Sequence, residues 1–84
     1  MGFDDKTLRI QNISDETSPR DLRRLLSKYG PISKVQIYSD RPNQVFAFLT
    51  MSRGDAEDAL ENLNGQRWLG RRLSVNEEKS WWDG

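Results

Sequence analysis

Two segments of this chain repeat one spacing. Leu22, Leu25, Leu26 and Tyr29 fall at i, i+3, i+4 and i+7, and so do Ala56, Ala59, Leu60 and Leu63. A 3.6-residue period brings such positions to one side, so each set predicts a helix with a single apolar stripe. The boundaries carry their own signals. Ser18, Pro19 and Asp21 supply an N-cap, a proline at the first helical position and an acidic residue three positions after the cap. Gly30-Pro31 stops the first helix. Ser52 and Asp55 repeat the capping-box spacing, and Asn64-Gly65 ends the second helix.

The segments around the helices have strand periodicity. Residues 7–13, "TLRIQNI", place Leu8, Ile10 and Ile13 apart from Arg9 and Gln11. Ile32, Val35 and Ile37 predict a second strand near residues 33–38, "SDRPNQ" a turn-rich connector, and residues 44–51, "QVFAFLTM", a third strand. "RRLSVN" supplies the last, with Leu73 and Val75 inward. The order is βαββαβ: an α+β, ferredoxin-like sandwich. Right-handed crossovers put both helices on one face of a four-stranded antiparallel sheet.

That arrangement makes "QVFAFLTM" anomalous. A half-buried strand needs one apolar face, and Val45, Ala47, Leu49 and Met51 provide it. Phe46 and Phe48 then lie on the opposite, open side, about 7 Å apart along the strand. The same side holds Arg9, Gln11, Lys34, Gln36, Tyr38, Gln44, Arg72, Ser74 and Asn76. An exposed aromatic pair in such a polar setting marks a contact surface.

Composition narrows what that surface contacts. With 84 residues the chain makes one domain, expected over residues 7–77, with an extension at 1–6 and a tryptophan-containing tail at 78–84. It has no cysteine and no histidine. That excludes disulfides, thiolate metal sites and the usual nucleophile–base pairs, so neither catalysis, a cofactor nor a metal is expected. Lys+Arg and Asp+Glu both number 13, a formal net charge of zero, so any binding of a polyanion must be local. The sequence has no signal-peptide pattern and no apolar run that could span a bilayer, which predicts an intracellular protein, nuclear or cytoplasmic.

The third strand resembles the signature of the RNA-recognition motif family, K/R-G-F/Y-G/A-F-V-x-F/Y. Phe46, Ala47 and Phe48 match and Leu49 is conservative, whereas Gln44, Val45 and Met51 depart. "LRIQNI", residues 8–13, is similar to the first-strand signature, with Arg9 where an aromatic ring is usual. The resemblance spans about residues 7–77 and implies single-stranded RNA as the partner. Phe48 would stack a base and Phe46 pack on a neighbouring base or sugar. Arg9 would stack its guanidinium plane or pair with a phosphate, and Gln11, Gln44, Ser74 and Asn76 would read base edges. Lys34, Tyr38 and Arg72 complete the expected RNA-contacting set. Two stacked bases contribute roughly 2–6 kcal/mol, against about 8 for a micromolar complex, so this domain alone should bind weakly. Within the family, "TLRIQNISDET" and "DLRRLLSKYGPISKV" are similar to the domain found in the g subunit of translation initiation factor 3. Splicing and messenger-RNA-processing proteins share much of this framework.

The alternative is a degenerate member that makes protein–protein contacts through its sheet, Trp68, the basic first helix or the tail. Trp81 and Trp82 could fold over the phenylalanines, extend an RNA platform or anchor a partner. A peptide-binding branch of the family uses Arg-x-Phe near Trp68 together with an acidic first helix. Here Gln66 replaces the arginine, and the first helix carries Arg20, Arg23, Arg24 and Lys28, the wrong sign for a basic peptide.

Overall fold

The computed structural model describes residues 5–41 and 44–78. Its elements are β1 (Asp5–Ile13), α1 (Pro19–Leu26), β2 (Ile32–Arg41), β3 (Gln44–Ser52), α2 (Arg53–Leu63), β4 (Arg67–Trp68), β5 (Arg71–Arg72) and β6 (Ser74–Glu78). The main sheet is antiparallel, in the order β2-β3-β1-β6. β4 and β5 form a separate two-stranded ribbon.

The expected inward residues make one core. Leu8, Ile10 and Ile13 of β1, Val45, Ala47, Leu49 and Met51 of β3, and Leu73 and Val75 near β6 are buried with Leu22 and Leu26 of α1 and Ala56, Ala59 and Leu63 of α2. Both helices therefore cover the same side of the sheet and leave the other side open. Lys6 reinforces this layer at its margin, bridging Glu57 of α2 (3.1 Å) and Glu77 of β6 (3.2 Å). Hydrogen bonds to those two carboxylates, Glu57 first, raise the lysine pKa above its ordinary value.

The α1 cap forms as its sequence predicts. The Ser18 hydroxyl accepts from the Asp21 N–H at 3.2 Å, and the Asp21 carboxylate accepts from the Ser18 N–H at 3.0 Å. The Ser18 backbone N–H first, and then hydrogen bonding from the Ser18 side chain to the carboxylate, hold the Asp21 carboxyl below the usual carboxylate range. The helix itself is shorter than the apolar spacing implies. It ends at Leu26, and the Tyr29 N–H donates to the Leu26 carbonyl at 2.9 Å in a tight turn. Tyr29 still packs against the core. At Gly30 φ is +147°, and an added Cβ would overlap the Asp55 carboxylate.

The second capping box does not form. Ser52 precedes α2 as N-cap, but its hydroxyl donates to the Asp55 carboxylate at 3.0 Å and caps no backbone N–H. Ser52 also ends β3, paired with Asp5, so its conformation serves the sheet.

The connector is tighter than "SDRPNQ" suggests. β2 runs on to Arg41, with Ser39 opposite Val45 and Arg41 opposite Gln44, and Asp40 sits in the irregularity between those pairs. The last segment differs more. "RRLSVN" is not one strand: Arg72 pairs with Arg67 and Arg71 with Trp68 in the β4–β5 ribbon. Leu69 and Gly70 join the two strands with φ of 50° and 81°, the two positive values that a two-residue type I′ turn demands. Arg72 is thus not on the open face of the main sheet. Trp68 lies partly buried against the core edge.

Candidate nucleic-acid interface

The open face is built in cross-strand rows, because antiparallel pairing sets residues of adjacent strands side by side. One row runs Tyr38, Phe46, Gln11, Ser74; the next runs Gln36, Phe48, Arg9, Asn76; a third runs Lys34, Thr50, Thr7, Glu78. Of the expected RNA-contacting residues, Arg9, Gln11, Lys34, Tyr38, Phe46, Phe48, Ser74 and Asn76 share these rows. Gln44 begins β3 at the end beyond Phe46, and Arg72 lies off the sheet. Trp81 and Trp82 fall outside the described residues.

Three rings cluster at the centre, one more than the phenylalanine pair. Phe46 and Phe48 meet edge to face with centroids 5.6 Å apart, closer than the strand repeat, because the rings lean together. Tyr38 stacks on Phe46 at 5.6 Å and 26°, and meets the Phe48 ring at 5.7 Å and 72°. Such pairs hold each other in place, so a base that stacks on them meets little additional ordering cost. Tyr38 remains 43% exposed, and its hydroxyl donates to the Gln36 side-chain amide oxygen (Oε1) at 3.0 Å.

Arg9 is not a freely available cation. One of its terminal nitrogens lies 3.6 Å from Glu78, with the two side chains 40% and 38% exposed. Its Nε is buried and has no hydrogen-bond partner among the described residues. Glu78 escapes the sequence reading, although Ser74, Asn76 and Glu78 continue a two-residue alternation that places it on this face. Asn12 enters that reading only as part of a motif. Its φ is +66° where the β1–β3 register shifts, and its side chain ties the ribbon to the sheet. The amide nitrogen donates to the Arg72 carbonyl at 2.8 Å, and the amide oxygen accepts from Arg71 at 2.8 and 3.2 Å. Where β1 and β3 diverge, a cleft of about 400 Å³ opens between Gln11, Asn12, Asp40, Gln44, Val45 and Phe46. Among the described residues no group of side chains could hold a metal ion, and no helix is long and apolar enough to cross a membrane.

Fold and face together define a small α+β recognition domain: a four-stranded sheet backed by two helices, presenting aromatic rings within polar rows. Comparison with known proteins makes the assignment specific. The family profile described as RNA recognition motif matches residues 8–74, and the chain belongs to that family. Membership of a family of recognition domains, not enzymes, agrees with the absence of a nucleophile–base pair in the sequence. Among its relatives is RbpE of Nostoc sp., a putative RNA-binding protein, 34% identical over 87% of this chain and 78% of its own length. Another is the g subunit of eukaryotic translation initiation factor 3 from Yarrowia lipolytica, 41% identical over 90% of this chain but 27% of its own length. Human transformer-2 protein homolog beta is 41% identical over 82% of this chain and 25% of its own. The third such domain of Mip6 superposes with a TM-score of 0.82 at 25% identity, covering 88% of this chain and 93% of that one. An Rna15 domain with bound GU RNA has the same fold, with a TM-score of 0.76 at 18% identity over 88% of this chain and 83% of that one.

Proposed function

We propose that this chain binds short single-stranded RNA across the open face of its sheet. The observation that carries the reading is the Tyr38–Phe46–Phe48 cluster, three rings on a surface that otherwise is polar and that no described element covers. Phe48 and Phe46 offer stacking surfaces, with Tyr38 as a third. Arg9 takes the place of a first-strand ring, exchanging Glu78 for a base or a phosphate. Gln11, Gln44, Ser74 and Asn76 supply donors and acceptors for base edges, and Lys34 a cation at the far row. Arg72, off the sheet but exposed beside Arg67 across the ribbon, serves as a phosphate contact at the margin. Net charge of zero limits the number of such contacts, so the affinity should be micromolar or weaker and only shallowly salt-dependent.

The larger setting follows the relatives whose length this chain spans by about a quarter: the domain acts as the RNA-contacting part of a bigger translation or RNA-processing protein. A protein-binding role for Trp68 has less support, because the fold already uses part of its ring against the core. Leu69 beside it, 56% exposed at the ribbon tip, is the better-placed apolar contact for a partner.

A nitrogen–proton NMR titration with a mixed pool of short single-stranded RNAs tests the reading. Shifts concentrated at Arg9, Gln11, Phe46, Phe48 and Asn76 are expected. A face that stays silent at millimolar RNA, with shifts at Trp68 and Leu69 on adding cell-derived protein fractions, would replace RNA by a protein partner.

A further inference from the structure

We propose that the cleft beside Phe46 is a base-reading subsite selective for guanine, with Asp40 as the group that selects. The inference rests on the RNA-binding reading of the sheet and adds to it a ligand chemistry for one position. The polar side chains of the cleft are not equivalent. Asn12 is spent, its oxygen on Arg71 and its nitrogen on the Arg72 carbonyl. Gln11, Asp40 and Gln44 have no side-chain hydrogen bond or ion pair among the described residues, and all three are exposed around the same opening. Phe46, the ring on which Tyr38 stacks, forms its wall. A volume of about 400 Å³ is within the range of sites that bury small planar ligands, roughly 300–1,000 Å³.

The chemistry of the free groups decides what fits. A carboxylate is an acceptor only, whereas each glutamine amide both donates and accepts. A phosphate in this cleft would face Asp40 with like charge, so the cleft suits a base edge. Guanine carries two adjacent donors, N1–H and the 2-amino group, which together match the two oxygens of a carboxylate in the paired geometry that makes charge-assisted bonds strong. Its O6 then accepts from a glutamine amide. Uracil offers one N–H between two carbonyl oxygens, and the carbonyls would face the carboxylate. Adenine and cytosine offer one amino group beside a ring acceptor, which meets the second carboxylate oxygen repulsively. Recognition of the Watson–Crick edge of an unpaired base is available only in single strands, the substrate this face accepts.

The test uses short uridine-rich oligonucleotides with one central guanosine, inosine, adenosine or cytidine, followed by fluorescence anisotropy and by NMR shifts. Inosine keeps N1–H and lacks the 2-amino group, so it isolates half of the contact. The wild-type domain should prefer guanosine over adenosine or cytidine by roughly 5- to 150-fold, the range of one good paired base contact, with inosine between. Asp40→Asn should abolish the preference, bringing the guanosine strand to the affinity of the adenosine and cytidine strands. Asp40 is exposed and unpartnered among the described residues, so the variant should fold; its amide spectrum verifies this. A wild type without guanosine preference, an Asp40→Asn variant that keeps it, or a variant that gains affinity equally for every strand would overturn the subsite, the last showing Asp40 to act as a general repeller of phosphate. In all three cases the Phe46 and Phe48 amides would still shift with RNA. If they shift with no strand, the RNA-binding reading fails as well.

Discussion

Replacing Glu78 by glutamine should tighten RNA binding, although the residue is not among the expected RNA contacts. Its carboxylate stands 3.6 Å from the Arg9 guanidinium, where a phosphate would have to sit, so ligand and side chain compete for one cation. The size of the effect follows from the geometry. The pair is long for an ion pair, and both side chains are about two-fifths exposed. Its strength therefore belongs with exposed pairs, about 0.2–1 kcal/mol. Releasing Arg9 should improve the dissociation constant by about 1.4- to 5-fold. One freed cation that reaches a phosphate should also steepen the slope of log affinity against log salt by roughly 0.7. Anisotropy titrations across a salt series measure both quantities, with Glu61→Gln on α2 as a control for the general loss of a negative charge. Equal gains in the two variants, or an unchanged slope in Glu78→Gln, would refute local competition at Arg9.

Phe48→Ala should weaken RNA binding by about 5- to 150-fold, one stacked base. The same change breaks two ring contacts at about 0.5–1.5 kcal/mol each, so a urea melt should show a lower midpoint, and affinities must be compared well below it. Gly30→Ala should destabilise by about 1–3 kcal/mol because of its positive φ. Adding Asp55→Ala should recover only the steric part, read as a partial return of the melting temperature. The Asp21 carboxyl has a lowered pKa in the folded state, so its contribution is complete above the ordinary value of about 3.9 and is lost as pH falls through that value and below it. In a chemical-denaturation series, Asp21→Asn should be less stable than wild type at neutral pH and should lose less stability on acidification.

The face was legible in sequence to the extent that period two is rigid. Once β1, β3 and β6 are antiparallel and their inward residues known, the opposite residues have nowhere else to point, and Phe46, Phe48, Arg9, Gln11, Ser74 and Asn76 follow together. The misplacement of Arg72 shows where this reasoning ends. Arg71 and Arg72 directly precede the inward Leu73, and nothing in their composition distinguishes a continuing strand from a ribbon. The turn that separates them depends on positive φ at Leu69, which a leucine does not advertise, although Gly70 beside it is an ordinary signal for such a turn. The unformed cap at Ser52 has a related cause. One residue closes β3 and opens α2, and the spacing to Asp55 cannot say which element sets its conformation. Glu78 and Asp40 escape notice for another reason: each lies one alternation past the end expected for its strand, and strand ends are the least determined part of a periodic pattern.

The strand order β2-β3-β1-β6 has a consequence for how this protein is made. β1 leaves the ribosome well before β6, yet the two are neighbours in the sheet. Until Glu78 has emerged, β1 has β3 on one side and bare N–H and C=O groups on the other, an edge that invites pairing with foreign strands. Leu73 and Val75, which close the core beneath that edge, arrive at the same moment, and so do Ser74 and Asn76. A nascent chain therefore has the three aromatic rings before it has a finished surface around them. Completion of the fold and completion of the binding face are the same late event.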